Sequence, residues 1–358
     1  MRRKGQALHT HEIPAEARDH VLVVRGLRTH FFSREGTLRA VDGVDFDLKP
    51  GEVLGIAGES GCGKSVTAQS ILRILPAHGK TVEGRVLLNR DGEITDLLTL
   101  GEDSDEIRSI RGSEIAMIFQ EPMTSFSPVH TVGNQIMEAI RLHNPGLTKQ
   151  ATRERAIKML QNVGMPNPGS TIDEYSFNLS GGMRQRAMIA MALSCHPRIL
   201  IADEPTTAVD VTIQAQVLEL IKELQAQFGM AVMMITHDLG IIAELADRVL
   251  IMYLGKAVEF APVDQLFSRP RHPYTQGLLK SIPKLKRGRQ EVESIEGTVP
   301  SPYEALSGCP FHPRCPHFIK GTCDMAMPET IPVAENHEVA CYLYDERYSR
   351  EDSRDEYH

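Results

Sequence analysis

The 358-residue chain is 41 % hydrophobic and 24 % charged, a globular composition with enough length for a sizeable core in two domains, or in one domain with an appendage. With 47 acidic against 39 basic residues, a net charge of −8, it lacks the basic excess expected of a nucleic-acid binder. No apolar run is long enough to cross a bilayer, and no apolar stretch follows the basic start Met1-Arg2-Arg3-Lys4, so a cytoplasmic protein is expected, attached to any membrane only through partners.

Residues 1–20 are polar and aperiodic and are expected to form a flexible extension. From Val21, short β-like runs alternate with helical patterns, which predicts an α/β fold. Val53–Ala57 reads as a strand, and a glycine-rich turn leads to a helix over about 64–75. Further strands are expected over Ile115–Phe119, Ile199–Ala202, Val232–Thr236 and Val249–Tyr253, whose unbroken apolar runs suit strands covered on both faces. Between them, about 121–180 reads as a helical insertion, with a helix from Thr148 to Val163 that Gly164 ends. A helix over about Thr212–Phe228 carries Val217, Leu220, Ile221 and Leu224 at core spacing, and Gly229 stops it.

The composition changes after about Phe260: eleven of the 21 prolines lie from Pro262 onward. The expected division is a main α/β domain over 21–263, a separate loop-rich unit over 264–345 and a disordered tail over 346–358. Lys284, Lys286, Arg287 and Arg289 form a small basic run, read as a solvated linker, with lipid headgroup contact as the alternative.

Gly58-Glu59-Ser60-Gly61-Cys62-Gly63-Lys64-Ser65 fits G-x-x-x-x-G-K-[ST] between a strand and a helix. Its glycines let backbone N–H groups turn inward around phosphate, and the helix N-terminus adds positive partial charge. The candidate phosphate ligands are Gly58 and Ser60 through Val66, with Lys64 reaching the β- and γ-phosphates and Ser65 a Mg²⁺ ligand. Cys62 reads as a tolerated small residue, although a helix N-terminus can lower a thiol pKa. Arg198-Ile199-Leu200-Ile201-Ala202-Asp203-Glu204 is an apolar strand ending in two carboxylates, where Asp203 would hold Mg²⁺ and Glu204 would act as general base. Capping of the next element is the ordinary alternative for such a pair.

Leu179-Ser180-Gly181-Gly182-Met183-Arg184-Gln185-Arg186 resembles the LSGGQ signature of ABC ATPases, with Met183 in place of the commoner glutamine. The other family motifs follow in order. Gln120 resembles the Q-loop residue, also a Mg²⁺ ligand; Asp210 the D-loop aspartate; and His237 the switch histidine that contacts the γ-phosphate. The resemblance implies a P-loop ABC ATPase domain in which two subunits associate head to tail. ATP then lies between the phosphate loop of one and Ser180, Gly181 and Gly182 of the other. ATP closes the dimer and hydrolysis opens it. Phe31 and Phe32 are the candidates for stacking on adenine, with strand-core packing as the alternative.

Gln120-Glu121-Pro122-Met123-Thr124-Ser125, His272-Pro273-Tyr274-Thr275 and Gly308-Cys309-Pro310-Phe311-His312-Pro313-Arg314-Cys315-Pro316 resemble the dipeptide/oligopeptide importer branch in particular. That branch implies a second, related ATPase subunit, two permeases that dock on the Gln120–Ile136 region and the helical insertion, and an extracytoplasmic solute-binding protein. It also implies a place at the cytoplasmic face of the inner membrane and import of peptides, or of an oligosaccharide, nickel or an opine. A soluble ABC ATPase, a non-hydrolysing subunit and an exporter are the rival readings; intact Glu204 and His237 oppose the second.

Cys309, Cys315, Cys323 and Cys341 are spaced C-x5-C-x7-C-x17-C, without the C-x2-C of common zinc sites and unlike ferredoxin spacings. Relatives in the branch imply a structural [4Fe–4S] cluster there; zinc, free thiols or disulfides are the alternatives, and His312 and His317 are possible substitute ligands.

Overall fold

The computed structural model describes residues 15–120, 126–207, 210–282, 295–301, 303–304 and 306–348. Glu121 to Ser125, Ala208, Val209, the basic run at 284–289 and the ends of the chain lie outside the described residues.

From the N-terminal side come β1 (Leu22–Ser33), β2 (Gly36–Leu48), β3 (Val53–Ala57), α1 (Lys64–Leu72), β4 (Gly79–Arg90), β5 (Glu93–Asp96), α2 (Asp105–Ile110) and β6 (Ile115–Ile118). A helical stretch follows: α3 (Val132–His143), α4 (Lys149–Asn162), the single turn α5 (Pro168–Thr171) and α6 (Gly181–Leu193). Then come β7 (Ile199–Asp203), α7 (Val211–Phe228), β8 (Ala231–Ile235), α8 (Leu239–Leu245), β9 (Arg248–Tyr253), β10 (Lys256–Pro262), α9 (Val263–Ser268) and α10 (Pro273–Lys280). Two short strands, β11 (Ile331–Ala334) and β12 (His337–Val339), complete the series.

Two sheets result. Strands β2-β1-β4-β5 form an antiparallel sheet, and β11-β12-β10-β9-β3-β8-β7-β6 a mixed one whose β9-β3-β8-β7-β6 portion is parallel. Successive side chains on the parallel strands point to opposite faces and enter two different cores. Leu200 and Ala202 of β7, with Val232 and Met234 of β8, pack against the helical layer of α3, α4, α6 and α7. Ile199, Ile201, Met233 and Ile235 face α1 and the antiparallel sheet. That two-sided burial is why these strands read as unbroken apolar runs. Lys256 Nζ donates to Asp42 Oδ2 at 2.7 Å and to the Asp42 carbonyl at 3.0 Å, pinning β10 to β2 across the two sheets.

Local chemistry sets the helix ends. Thr148 caps α4 by accepting from the Ala151 N–H at 3.2 Å, and Gly229 closes α7 at φ 65°. Helix α1 stops at Leu72, earlier than its sequence pattern suggests, because Arg73 turns left-handed at φ 54°. Contacts join the expected units. Ala17, placed in the flexible extension, is buried against Val23, Leu87 and Ile94. The C-terminal unit packs on the main domain: β12 pairs with β10 (Glu259 with Val339), and Phe311 joins the main core. Within the expected tail, the Tyr348 ring lies 5.1 Å from that of Tyr342. Among the described residues no helix is long and apolar enough to cross a membrane.

Candidate functional site

The phosphate loop joins β3 to α1 at the carboxyl end of the parallel strands, where such sheets present ligand sites. Two glycines are required sterically. A Cβ on Gly58 (φ 152°) would lie 2.2 Å from the Met252 carbonyl oxygen, and one on Gly63 (φ 102°) 2.1 Å from that of Ala40. Lys64 is almost wholly buried and donates to the carbonyls of Gly58 at 2.8 Å and Glu59 at 3.1 Å. Its ammonium is therefore folded into the loop. Cys62 is also buried, and burial pushes its thiol up despite nearby Lys64, the reverse of the activation that its place at the helix N-terminus suggests.

Ser65 bridges to the end of β7, its Oγ donating to Asp203 Oδ1 at 2.9 Å. Burial raises the Asp203 carboxyl, partly offset by the Ser65 hydrogen bond, while the neighbouring Glu204 charge adds to the rise. Glu204 is where three elements converge. Gln120 Nε2, after β6, donates to its Oε2 at 3.1 Å; Thr207 Oγ1 donates to the same oxygen at 2.9 Å; His237 Nδ1, after β8, lies 3.0 Å from Oε1. Burial works against ionisation of Glu204, but the hydrogen bonds from His237 and Thr207 and the charges of His237 and Lys64 hold its carboxyl below the ordinary range. Its backbone sits at φ 46°, a left-handed conformation costly for a residue with a Cβ, and the Glu204 N–H bonded to the Ile235 carbonyl at 2.8 Å holds it there.

These residues border a cavity of about 640 Å³ lined by Phe31, Ser60, Gly61, Gly63, Lys64, Ser65, Val66, Gln120 and Glu204, a size suited to a nucleotide. Phe31 is half-buried and on its wall, whereas Phe32 is 48 % exposed and off it. Ser180, Gly181, Gly182, Asp210 and His237 are not among its lining residues. Ser180 instead caps α6, accepting from the Met183 N–H at 3.3 Å, and both Ser180 and Gly181 are exposed. Asp210 caps α7, its Oδ1 accepting from Thr212 and Ile213 at 3.0 Å each.

Several contributors escaped the sequence reading. Thr207 was visible only as the third residue after Glu204, a spacing without a signature. Tyr303, Leu306 and Pro310 of the C-terminal unit line the cavity. Tyr274 Oη accepts from the Glu59 N–H at 2.8 Å, and Arg314 donates to both Glu59 carboxylate oxygens at 2.9 and 3.3 Å. Both sit inside stretches legible only as resemblance.

A second, small cavity of about 20 Å³ is lined by all four cysteines, Cys309, Cys315, Cys323 and Cys341, together with His272, His312 and His317. Burial pushes the Cys309 and Cys341 thiols up to about 12. Among the described residues no three His, Cys, Asp or Glu are arranged to hold a metal ion.

Comparison with known proteins identifies the family. The family described as ABC transporter matches residues 41–207, and the oligopeptide/dipeptide transporter C-terminal region matches 258–323. The chain is 52 % identical to the probable peptide ABC transporter ATP-binding protein y4tR of Sinorhizobium fredii, over 92 % of this chain and 96 % of that one. It is 48 % identical to the dipeptide transport ATP-binding protein DppD of Bacillus subtilis, over the same shares of the two chains. This chain belongs to the ATP-binding proteins of ABC transporters. Among solved structures, the dimeric ABC transporter cassette MJ0796 matches with a TM-score of 0.59 and 26 % identity, over 68 % of this chain and 98 % of that one. The ABC cassette cbiO1 of Clostridium perfringens matches with a TM-score of 0.58 and 27 % identity, over 70 % and 92 %. The ABC protein described here is thus an ATPase.

Proposed function

We propose that this ATPase powers peptide import, as one subunit of a peripheral assembly at the cytoplasmic face of the inner membrane. The observation that carries the catalytic part is the convergence of Gln120, Thr207 and His237 on the Glu204 carboxylate. An ionised, oriented carboxylate at the cavity edge is what a water molecule attacking the γ-phosphate needs as proton acceptor. On ATP binding, Lys64 exchanges the Gly58 and Glu59 carbonyls for β- and γ-phosphate oxygens. The loop N–H groups from Ser60 to Val66 cradle the phosphates, and Phe31 stacks on the base. Ser65, Asp203 and Gln120 would hold Mg²⁺, which would supply charge neutralisation at the phosphates. The negative field of Asp203 and Glu204 suits that cation.

Exposed Ser180 and Gly181, which do not line the cavity of their own chain, are supplied to the ATP of a second, related subunit in a head-to-tail heterodimer. The dimeric state of the MJ0796 cassette supports the pairing of two ATPase subunits. The names of the relatives and the matched C-terminal region support a peptide as the solute, two permeases and a solute-binding protein as further partners, and division into units at 21–263 and 264–345. The helical part, described over 126–180, with Val129 and Phe177 exposed, is the permease-facing surface.

For the cysteines we propose a structural [4Fe–4S] cluster. Two observations support it: the four thiols share one cavity, and fully buried His272 lines it with an unpartnered Nε2. His272 Nδ1 accepts from the Tyr274 N–H at 3.1 Å, and burial lowers the ring to about 4, so the neutral ring carries its proton on Nε2. That N–H is a donor with no acceptor unless thiolate or sulfide is present. When bound, such a cluster would supply four metal–thiolate bonds to a segment with few apolar contacts. At about 20 Å³ the cavity admits it only if the thiols shift outward. Iron and sulfide analysis of the anaerobically purified chain tests this; stoichiometric zinc or no metal would refute it.

Glu204→Gln tests the catalytic assignment. It should bind ATP, trap the closed dimer and lose hydrolysis by about 10²-fold or more; undiminished turnover would remove Glu204 as the base. Peptide uptake by a deletion strain carrying this gene tests the solute, and uptake of sugar or nickel instead would overturn it.

A further inference from the structure

Glu59, the second residue of the phosphate loop, is held at three points. Its N–H donates to Tyr274 Oη at 2.8 Å, its carbonyl accepts from Lys64 at 3.1 Å, and its carboxylate takes both terminal nitrogens of Arg314 at 2.9 and 3.3 Å. Tyr274 and Arg314 both belong to the C-terminal unit, 215 and 255 residues along the chain from Glu59. The Arg314 side chain is only 4 % exposed and is fully engaged: it also donates to Tyr253 Oη at 3.3 Å and to the carbonyls of Glu296 at 3.2 Å and Ile295 at 3.4 Å. Phe311 backs it, wedged against Tyr253 and Tyr274 with ring centroids 5.3 and 5.4 Å apart. Arg314 directly precedes Cys315, and Phe311 lies between Cys309 and Cys315, so the brace is continuous with the four-cysteine wall.

We propose that Arg314 and Tyr274 are positioning residues for ATP binding, through which the C-terminal unit holds the phosphate loop in its nucleotide-receiving shape. The phosphate loop works by presenting converged backbone N–H groups, and a loop free to sample other shapes must be ordered when ATP arrives. A bidentate guanidinium–carboxylate pair fixes direction as well as distance. The C-terminal unit therefore sets ATP affinity in the same chain, while the reacting groups Glu204 and His237 stay outside the brace.

The test uses the full chain with Mg-ATP. Arg314→Gln and Glu59→Gln should each raise the KM and the Kd for ATP about tenfold, with kcat at saturation within twofold of wild type. The double variant should be no weaker than the weaker single, since both remove the same bond. Arg314→Lys should recover part of the loss, because it restores charge but not the fork. Tyr274→Phe keeps the ring packing and removes only the acceptor for the Glu59 N–H, so it decides the matter if the Arg314 variant fails to fold; it too should raise KM at unchanged kcat. Unchanged KM in a folded Arg314→Gln or Tyr274→Phe chain, additive losses in the double variant, or a fall confined to kcat would each overturn the proposal.

Discussion

Replacing Phe311 by alanine removes the wedge between the C-terminal unit and the phosphate-loop domain. The ring is 1 % exposed, lies 5.3–5.8 Å from the rings of Tyr253, Tyr274 and His272, and has the Arg314 guanidinium 5.9 Å from its centroid. Burying a phenylalanine side chain contributes about 1.5–3 kcal/mol by transfer alone. Cavity formation and the lost aromatic contacts bring the expected cost to about 3–5 kcal/mol. That is a large share of a total stability of about 5–15 kcal/mol. Urea unfolding of the full chain measures it as a lower midpoint. Phe318→Ala is the control: at 40 % exposure that ring should cost less than about 1 kcal/mol. A Phe311→Ala chain as stable as the Phe318→Ala chain would show that the C-terminal unit is not packed on the core through this residue.

Three further outcomes are expected. Thr207→Val removes one of the two donors to Glu204 Oε2 and should lower kcat about tenfold at unchanged KM for ATP, which steady-state kinetics would measure; an unchanged kcat would exclude Thr207 from the network. Gly58→Ala should destabilise the chain by at least about 3 kcal/mol and abolish ATP binding, because its Cβ meets backbone. Gly61→Ala, with open space around it and only an unfavourable φ of 81°, should cost about 1–2 kcal/mol, both read from denaturation midpoints. Burial opposes ionisation of Asp42, but the hydrogen bond and charge of Lys256, with Arg28 and Arg39, hold its carboxyl below the usual range. Its contribution is therefore present above the unfolded value near ~3.9 and is lost as pH falls through the lowered folded value. Asp42→Asn should cost about 1–3 kcal/mol at pH 7 and nothing below that window, measured as unfolding midpoints across pH.

Legibility in the sequence followed the range of the interaction. The strand Val53–Ala57 matches to the residue, and the helices starting after Thr148 and ending at Gly229 match within one or two, because burial pattern, cap and αL glycine are all local. The antiparallel sheet was not resolved into strands, since β1 and β2 are bulged and half-exposed and their alternation is broken between Val24 and Leu27. Phe31 and Phe32 could not be told apart, because adjacent strand residues face opposite sides and only packing says which side is the cavity. Cys62 was read as a tolerated small residue, but the direction of its thiol pKa could not be read from its place at the helix N-terminus, because its desolvation comes from the fold around it rather than from its neighbours in the chain.

By itself the sequence located the candidate ATP site: Gly58 to Ser65, Asp203 and Glu204 are short motifs whose backbone angles and functional groups act over a few residues. It also determined the family, through motif order. Only the tertiary structure decided that Gln120, Thr207 and His237 meet at one carboxylate, that Ser180 and Gly181 do not line the cavity of their own chain, and that Arg314 reaches the phosphate loop. Those relations join residues as far as 255 positions apart. Their geometry exists only once the parallel strands align their ends and the C-terminal unit packs against them.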